Sequence, residues 1–287
     1  MTALEESIIL KIKSKLEELS KMERRLGEYI LSHAEEIVDE NTGSLAKKAG
    51  ISPATVVRFC KSIGLQGFAQ LKIKLYADVS GENGKIYTDI SPNEDVPLIA
   101  EELAIRFNQS ISQTANKLDA EAVDQVAGML DACPVIYVYG LGASHVAAED
   151  FTQKFSRIGK AVVHMQDHHL LASSLANADQ NSLFIAVSNS GETIETVKLM
   201  KIAKQRGLRT VAITQKQDST LTEMVDFAVF HHGGEAVMLR SAATTSLAAQ
   251  LFTINVLYFA YVSKHYSEAV GRLKTSKSRI QTFFRKD

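Results

Sequence analysis

The sequence contains little cysteine, little proline and no tryptophan. Its 287 residues include two cysteines, four prolines and 16 glycines, with 45% hydrophobic and 23% charged residues. Cys60 and Cys133 cannot cross-link so long a chain, and the composition excludes a disulfide scaffold, a collagen-like chain and a disordered chain. We therefore expect about two folded domains in the reducing cytoplasm, with no signal peptide.

Acidic residues are absent from residues 41–77, although the whole chain has a net charge of only −1. The same stretch carries six cations, which are Lys47, Lys48, Arg58, Lys61, Lys72 and Lys74. A local positive charge within a neutral protein indicates an anionic partner that binds at one confined surface.

Charge of either sign is absent from residues 241–263, a stretch long enough to cross a bilayer. Polar residues such as Gln250 and Asn255 lie in the middle of it, and lipid would leave them unpaired. We predict a helix that is buried in the protein or at a subunit interface, and no contact with a membrane.

The pattern of the chain predicts two domains joined by a linker. Residues 1–79 show apolar positions at helical spacing, and Ser20 with Glu23 forms a capping box that opens a helix. Residues 80–97 lack periodicity, as a linker does. From 98 to 287, helical patterns alternate with five short apolar runs, at 134–140, 161–165, 182–188, 208–214 and 226–231. The predicted fold is an all-α domain followed by an α/β domain, whose five-stranded parallel sheet is flanked by helices.

Residues 42–64 have the pattern of a helix-turn-helix. Gly50 permits a tight turn, and Ser52 followed by Pro53 is a strong start signal for the second helix. The outer face of such a helix enters the major groove of DNA. The candidate DNA-binding residues are Ser52, Ala54, Thr55, Arg58 and Lys61 on this helix, with Lys72 on the next. The alternative is an ordinary helical hairpin with a solvated charged face.

Two of the predicted strands end in loops rich in glycine and hydroxyl groups. The first loop, GLGAS, covers residues 140–144, and the second, SNSGET, covers residues 188–193. Each opens a helix, where free N–H groups and the positive end of the helix dipole attract anions. Neither loop has a Walker lysine, and the third glycine of the dinucleotide fingerprint is missing. The loops therefore favour a phosphate group, without a nucleotide, metal or other cofactor.

The two loops resemble those of the sugar isomerase (SIS) phosphosugar-binding domain, over residues 98–265. Residues 52–72 resemble the N-terminal domain of RpiR-type bacterial transcriptional regulators, a family that joins these two domains in this order. The resemblance implies a sugar phosphate site, with Ser144, Ser188, Ser190 and Thr193 around the phosphate. The other expected members of the site are Gly142, Asn189, Gly191 and Glu235.

The resemblance implies a transcriptional regulator whose affinity for duplex operator DNA is modulated by a sugar phosphate. It also implies that residues 239–257 form a helix next to the ligand or at a dimer interface. That helix has more apolar surface than one sheet covers, so we expect a homodimer or higher oligomer, with the ligand acting through dimer geometry.

Two other functions remain open from the sequence. An SIS-type phosphosugar isomerase would need a base beside the sugar carbons, for which the candidates are Glu235, His145, His231, His232 and the pair His168–His169. A helical domain that binds another protein is the second alternative. We expect the two histidine pairs to be structural or solvent-facing, because adjacent side chains diverge and cysteine partners are absent.

Overall fold

The computed structural model describes residues 7–37, 40–79, 95–232 and 243–283. Within these ranges, residues up to Asn108 form one compact unit and residues from Gln109 form a second. The division falls inside a helix that begins at Val96. It therefore does not coincide with the end of the predicted linker at residue 97, and most of that linker lies outside the described residues.

The first unit consists of helices. They are α1 (Ile8–Lys15), α2 (Lys21–Ser32), α3 (Ala34–Ile37), α4 (Thr42–Ala49), α5 (Pro53–Ser62), α6 (Phe68–Val79) and the first part of α7 (Val96–Lys117), with a 3-10 turn at Leu16–Glu18. Apolar side chains at helical spacing form one core, in which Leu26 of α2 and Phe59 of α5 are fully buried. The predicted capping box of Ser20 and Glu23 is present at the start of α2.

The second unit is a parallel sheet with helices on both faces. After α7, its elements are α8 (Ala120–Ala132), β1 (Ile136–Gly140), α9 (Ala143–Arg157), β2 (Val162–His164), α10 (His168–Ala176), β3 (Leu183–Ser188), α11 (Ile194–Arg206), β4 (Arg209–Gln215), α12 (Thr220–Met224), β5 (Phe227–His231), α13 (Thr245–Lys264) and α14 (Tyr266–Phe283). The strand order is β2-β1-β3-β4-β5, and every neighbouring pair is parallel. The five predicted strands are all confirmed.

Alternating side chains of the strands form two cores, one on each face of the sheet. Val138 and Ile185 pack in a core with residues of α8, α9 and α13. Tyr139 follows Val138 on β1, and Phe184 precedes Ile185 on β3. Both side chains therefore lie on the opposite face, where they pack in a second core with α10 and α11. Because both faces are covered, ligands reach the sheet only at its edges, and the loops after the strands provide that access.

Helix α13 is the only helix within the described residues that is long and apolar enough to cross a membrane. Close to half of it is buried within the protein. The buried positions recur at helical spacing, and they are Thr245, Ser246, Ala249, Gln250, Thr253, Ile254, Leu257 and Tyr261. This burial agrees with the predicted core helix.

Candidate functional site

The turn between α4 and α5 has the geometry predicted for a helix-turn-helix. Gly50 ends α4 in the left-handed conformation, with a φ angle of 67° that disfavours any other residue. The hydroxyl of Ser52 accepts a hydrogen bond from the N–H of Thr55 at 3.2 Å, and Pro53 is the first residue of α5. Val56 on the inner face of α5 is fully buried. The turn and the core together fix the direction in which α5 presents its outer face.

The outer face of α5 is exposed and carries positive charge. Ser52, Ala54, Arg58 and Lys61 are exposed there. Thr55 was expected on the same face, but its side chain is only 5% exposed, and that prediction is corrected. Its hydroxyl oxygen lies 2.9 Å from that of Ser52, so Thr55 supports the start of the helix.

Lys72 does not reach the surface, which contradicts its prediction as a DNA-binding residue. Its side chain is 5% exposed, and its ammonium nitrogen lies 3.1 Å from Oε1 of Glu102 on α7. Arg106, one turn further along α7, lies 3.3 Å from the other carboxylate oxygen of Glu102. Lys72 is therefore part of a buried ion pair, which a count of charges within residues 41–77 could not reveal.

Arg25 is a cation beside the turn that the sequence analysis missed. This exposed residue of α2 lies against Gly50, so closely that a Cβ atom at position 50 would come within 2.6 Å of its guanidinium. Arg25 belongs to a helix outside the helix-turn-helix pattern of residues 42–64, and only the folding of the chain brings it next to the turn.

The two glycine- and serine-rich loops lie side by side at one edge of the sheet. Strands β1 and β3 are neighbours, with Gly140 opposite Val187 in the register. The first loop leads into α9 at Ala143, and the second leads into α11 at Ile194. Because the strands are parallel, both loops emerge at the same edge, where sheets of this type bind ligands.

Helices α9 and α11 begin without a side-chain cap. Helices α8, α10 and α12 of the same unit begin with Asp119, Asp167 and Ser219, each of which accepts a hydrogen bond from a first-turn N–H group. The corresponding residues are Gly142 for α9 and Thr193 for α11, and neither makes such a bond. Within the described residues, the first turns of these two helices therefore present N–H groups that a bound anion can satisfy.

Hydroxyl groups of the second loop are held by backbone donors. Ser188 is 2% exposed, and its Oγ accepts a hydrogen bond from the N–H of Gly191 at 3.2 Å. The hydroxyls of Ser188 and Thr193 lie 3.4 Å apart. Oγ of Ser190 accepts from the N–H of Glu192 at 3.2 Å. Because the bonds from the backbone use lone pairs of the serine oxygens, the hydroxyl hydrogens of both serines can donate to a ligand.

Two further residues of the second loop are polar and placed differently. The side-chain Oδ1 of Asn189 is buried and has no hydrogen-bond partner within the described residues. Glu192 points away to α12, where its carboxylate accepts hydrogen bonds from the N–H and the hydroxyl of Thr220 at 2.6 and 2.7 Å. These bonds, the backbone one foremost, lower the pKa of Glu192 and hold its negative charge at the start of α12.

The first loop requires glycine at two positions. A Cβ atom at Gly140 would lie 2.2 Å from the backbone oxygen of Ser144, which is a severe clash. Gly142 has a φ angle of 61° and a ψ angle of −125°, a conformation that residues with a side chain rarely adopt. The backbone of this loop therefore makes a tight turn that residues with a side chain at positions 140 and 142 would not permit.

Gln250 contacts the first loop, which the sequence analysis did not anticipate. Its side-chain Nε2 donates a hydrogen bond to Oγ of Ser144 at 3.0 Å, and both side chains are buried. The one signal in the sequence is a glutamine inside an uncharged, largely apolar helix, since such a residue needs a buried partner.

Three side chains next to the first loop form a hydrogen-bonded chain. Nδ1 of His164 lies 3.0 Å from the backbone oxygen of Val138, which can only accept, so this nitrogen carries a hydrogen. Nδ1 of His145 lies 2.9 Å from Nε2 of His164, and Nε2 of His145 lies 2.7 Å from the side-chain nitrogen of Gln166. Both ring nitrogens of His145, one of the candidate bases, are therefore engaged.

Of the other candidate bases, His232 directly follows β5. Glu235 lies outside the described residues. The N–H of His232 donates to the hydroxyl of Thr114 at 3.0 Å, and burial, followed by the charges of Lys117 and Lys216, lowers the pKa of the His232 imidazole. In the part of the chain that the structure describes, no three histidine, cysteine or acidic residues are grouped to hold a metal ion.

Comparison with known proteins gives matches to both units. Residues 6–82 match the family described as helix-turn-helix domain, rpiR family, and residues 129–260 match the SIS domain family. An uncharacterized HTH-type transcriptional regulator of Bacillus subtilis is 34% identical over 271 residues, which cover 94% of this chain and 96% of that protein.

Solved structures share the fold. One is the Vibrio vulnificus NanR protein complexed with ManNAc-6P, with a TM-score of 0.62 at 24% identity over 97% of this chain and 100% of that one. Another is the sugar isomerase domain of an RpiR transcription factor from Sphaerobacter thermophilus. It has a TM-score of 0.57 at 19% identity and covers 63% of this chain and 98% of that one.

Proposed function

The chain belongs to the RpiR family of HTH-type transcriptional regulators with an SIS domain, and from this premise we propose that a sugar phosphate binds its SIS domain and modulates its affinity for operator DNA. The observation that carries the proposal is the pair of uncapped helices, α9 and α11, which begin side by side after β1 and β3. A phosphate placed between them accepts hydrogen bonds from both first turns and lies at the positive end of two helix dipoles.

The donors available at this place are suited to a phosphate ester. Ser144, Ser188 and Ser190 offer hydroxyl hydrogens, and the first turns of the two helices offer N–H groups. Neutral donors bind a phosphate by several charge-assisted hydrogen bonds without a metal ion. The NanR protein, which shares the fold, is complexed with a phosphorylated sugar, and this supports the same class of ligand here.

Replacement of Ser188 by alanine tests the phosphate site. The Ser188→Ala variant loses a donor to the phosphate and also the acceptor that holds the N–H of Gly191. We expect sugar phosphate binding, measured by calorimetry, to weaken about 10- to 150-fold, since hydrogen bonds to charged groups contribute about 1.5–3 kcal/mol.

Ser182→Ala is the matched control for this variant. Ser182 is fully buried just before β3, at the other end of the same strand, and should leave affinity unchanged. Equal affinity of wild type and Ser188→Ala for a sugar phosphate would place the ligand elsewhere.

For DNA, we propose that α5 reads the major groove and that Arg58 contacts a base edge. The probe is a duplex from upstream of the protein's own gene, compared with shuffled DNA of the same length. The Arg58→Ala variant should lose about 1–3 kcal/mol of the preference for the specific duplex. Lys13→Ala, which removes an equal charge from α1, is the control and should keep that preference. If Arg58→Ala discriminated between the specific and the shuffled duplex as well as wild type does, the contact with a base would be refuted.

The proposed regulator acts as a homodimer or higher oligomer in the cytoplasm. One small helix-turn-helix contacts few base pairs, so two copies on half-sites about 34 Å apart are needed for strong binding. Helix α13 offers a surface for self-association, since Phe259 is 65% exposed. A sugar phosphate that favours one dimer arrangement would change operator affinity about 5- to 150-fold, a coupling of about 1–3 kcal/mol. Titration of the operator duplex with and without ligand measures this coupling.

The alternative is sugar phosphate isomerisation, for which one candidate base is His145, the residue that directly follows the first loop. Both of its ring nitrogens already lie within hydrogen-bond distance of His164 and Gln166, so one of these bonds must break before His145 takes a proton from a substrate. We therefore propose binding without turnover. If NMR spectra recorded over hours showed conversion of the bound sugar phosphate, the result would favour an isomerase.

A further inference from the structure

We propose that Gln250 is a positioning residue of the phosphate site: it holds the hydroxyl of Ser144 so that its hydrogen is directed to a phosphate oxygen. This inference rests on the proposed function, because it presupposes that Ser144 donates to a phosphate. It adds a residue of α13 to a site that otherwise consists of two loops. Gln250 would not touch the ligand and would act only through Ser144.

The hydrogen-bonding capacity of a serine hydroxyl explains the role. A hydroxyl has one hydrogen to donate and two lone pairs that accept. Nε2 of Gln250 occupies one lone pair of Ser144 Oγ at 3.0 Å. Within the described residues, the Ser144 hydroxyl donates to no acceptor, so its hydrogen remains for a ligand.

The burial of both partners makes this arrangement specific. Ser144 is 8% exposed and Gln250 is 1% exposed. Water therefore competes little with the amide for the serine oxygen, and a hydrogen bond in such surroundings is electrostatically stronger than in water. The hydroxyl is fixed before a ligand arrives, which lowers the entropy lost when the phosphate binds.

Helix α13 provides a rigid support for the amide. It runs for 20 residues and packs against α8 and α9, and residues one turn away from Gln250, such as Ile254, are fully buried. Ser144 itself lies in the first turn of α9. A bond across 106 positions of the sequence thus connects the uncapped start of α9 to a separate core helix.

The nature of the donor also matters for charge. An amide donor adds a positive partial charge behind the serine without adding a net charge to the core. A carboxylate at the same position could only accept, so it would take the hydroxyl hydrogen of Ser144 and repel the phosphate. Once protonated, a carboxyl group regains a hydrogen to donate. The effect of Gln250→Glu should therefore depend on pH in a way that simple loss of packing would not.

The experiment measures binding of inorganic phosphate and of ManNAc-6-phosphate to the full chain by 31P NMR titration. Gln250→Met, of similar size, is expected to bind both probes about tenfold more weakly than wild type. Gln250→Glu is expected to bind them about 100-fold more weakly at pH 8, and to approach wild-type affinity measured at the same pH when the pH is lowered to 5. Thr253→Val is the control, because the Thr253 hydroxyl bonds only within α13, to the backbone oxygen of Ala249.

Four outcomes decide the matter. If the two Gln250 variants bind phosphate with the same affinity as wild type and Thr253→Val, the positioning role is wrong and the phosphate site stands. If wild type binds neither probe, the proposed function fails and the positioning role fails with it. The Gln250→Met substitution is also made together with Ser144→Ala, whatever the single variant shows. In that background, Gln250→Met should cause no further loss of affinity, and an additional loss would overturn the proposal because Gln250 would then act other than through Ser144.

Discussion

A Gly140→Ala protein is expected to lose phosphate binding and to unfold at a lower temperature than wild type. The added Cβ atom would lie 2.2 Å from the backbone oxygen of Ser144 and 2.5 Å from its carbonyl carbon, and neither atom can move without moving the start of α9. Overpacking of this kind costs about 3 kcal/mol where backbone must shift. For a unit of this size, that corresponds to a decrease in Tm of about 6–12 °C.

The two effects are measured separately, by calorimetric unfolding and by titration with a sugar phosphate. Gly128→Ala is the matched control, because Gly128 is an exposed residue of α8 and, apart from its chain neighbours and the backbone of its own helix, no heavy atom of the described residues lies within 4 Å of a Cβ placed there. Alanine at a helical position should leave stability unchanged or raise it by up to about 1 kcal/mol. A Gly140→Ala protein with wild-type Tm and wild-type affinity would show that the first loop is not packed as described.

Lys72→Met is expected to destabilise the first unit by about 3–5 kcal/mol, since it removes the ammonium group that lies 3.1 Å from the buried carboxylate of Glu102. Arg106 lies 3.3 Å from the same carboxylate, but it is more exposed and can compensate only in part. The loss is measured by urea unfolding of the full chain, as a change in the free energy of unfolding of the first unit.

A second substitution tests the origin of that loss. In Lys72→Met combined with Glu102→Leu, both charges of the buried pair are removed, and the partly exposed Arg106 keeps access to solvent, so most of the stability should return. Lys74→Met on the same helix is the control, because Lys74 is only partly buried and should cost far less. If the double variant were as unstable as Lys72→Met alone, packing and not the ion pair would explain the effect.

The strands and loops of the second unit could be predicted from the sequence because their signals are local. Each strand is a short apolar run that is covered on both faces, so its hydrophobicity is nearly continuous. The loops after β1 and β3 are indicated by glycine and serine residues at the point where such a run ends. Parallel pairing then places both loops at one edge, as Gly140 opposite Val187 demonstrates.

The residues that were missed or misplaced depend on contacts between distant parts of the chain. Lys72 lies in a basic segment, and its partner Glu102 follows only after the predicted linker. Gln250 and Ser144 are 106 positions apart. Thr55 has the spacing of an exposed residue, but the cap formed with Ser52 turns it inward. No periodicity within one helix encodes these pairs.

Helix α7 begins in the first unit and ends in the second, and this affects how the protein can be divided or recombined. A DNA-binding fragment cut at the predicted linker would lack Glu102 and would therefore lose the carboxylate that lies 3.1 Å from the buried ammonium group of Lys72. An exchange of SIS domains between relatives should therefore keep the helix segment up to Asn108, which carries Glu102, together with the first unit.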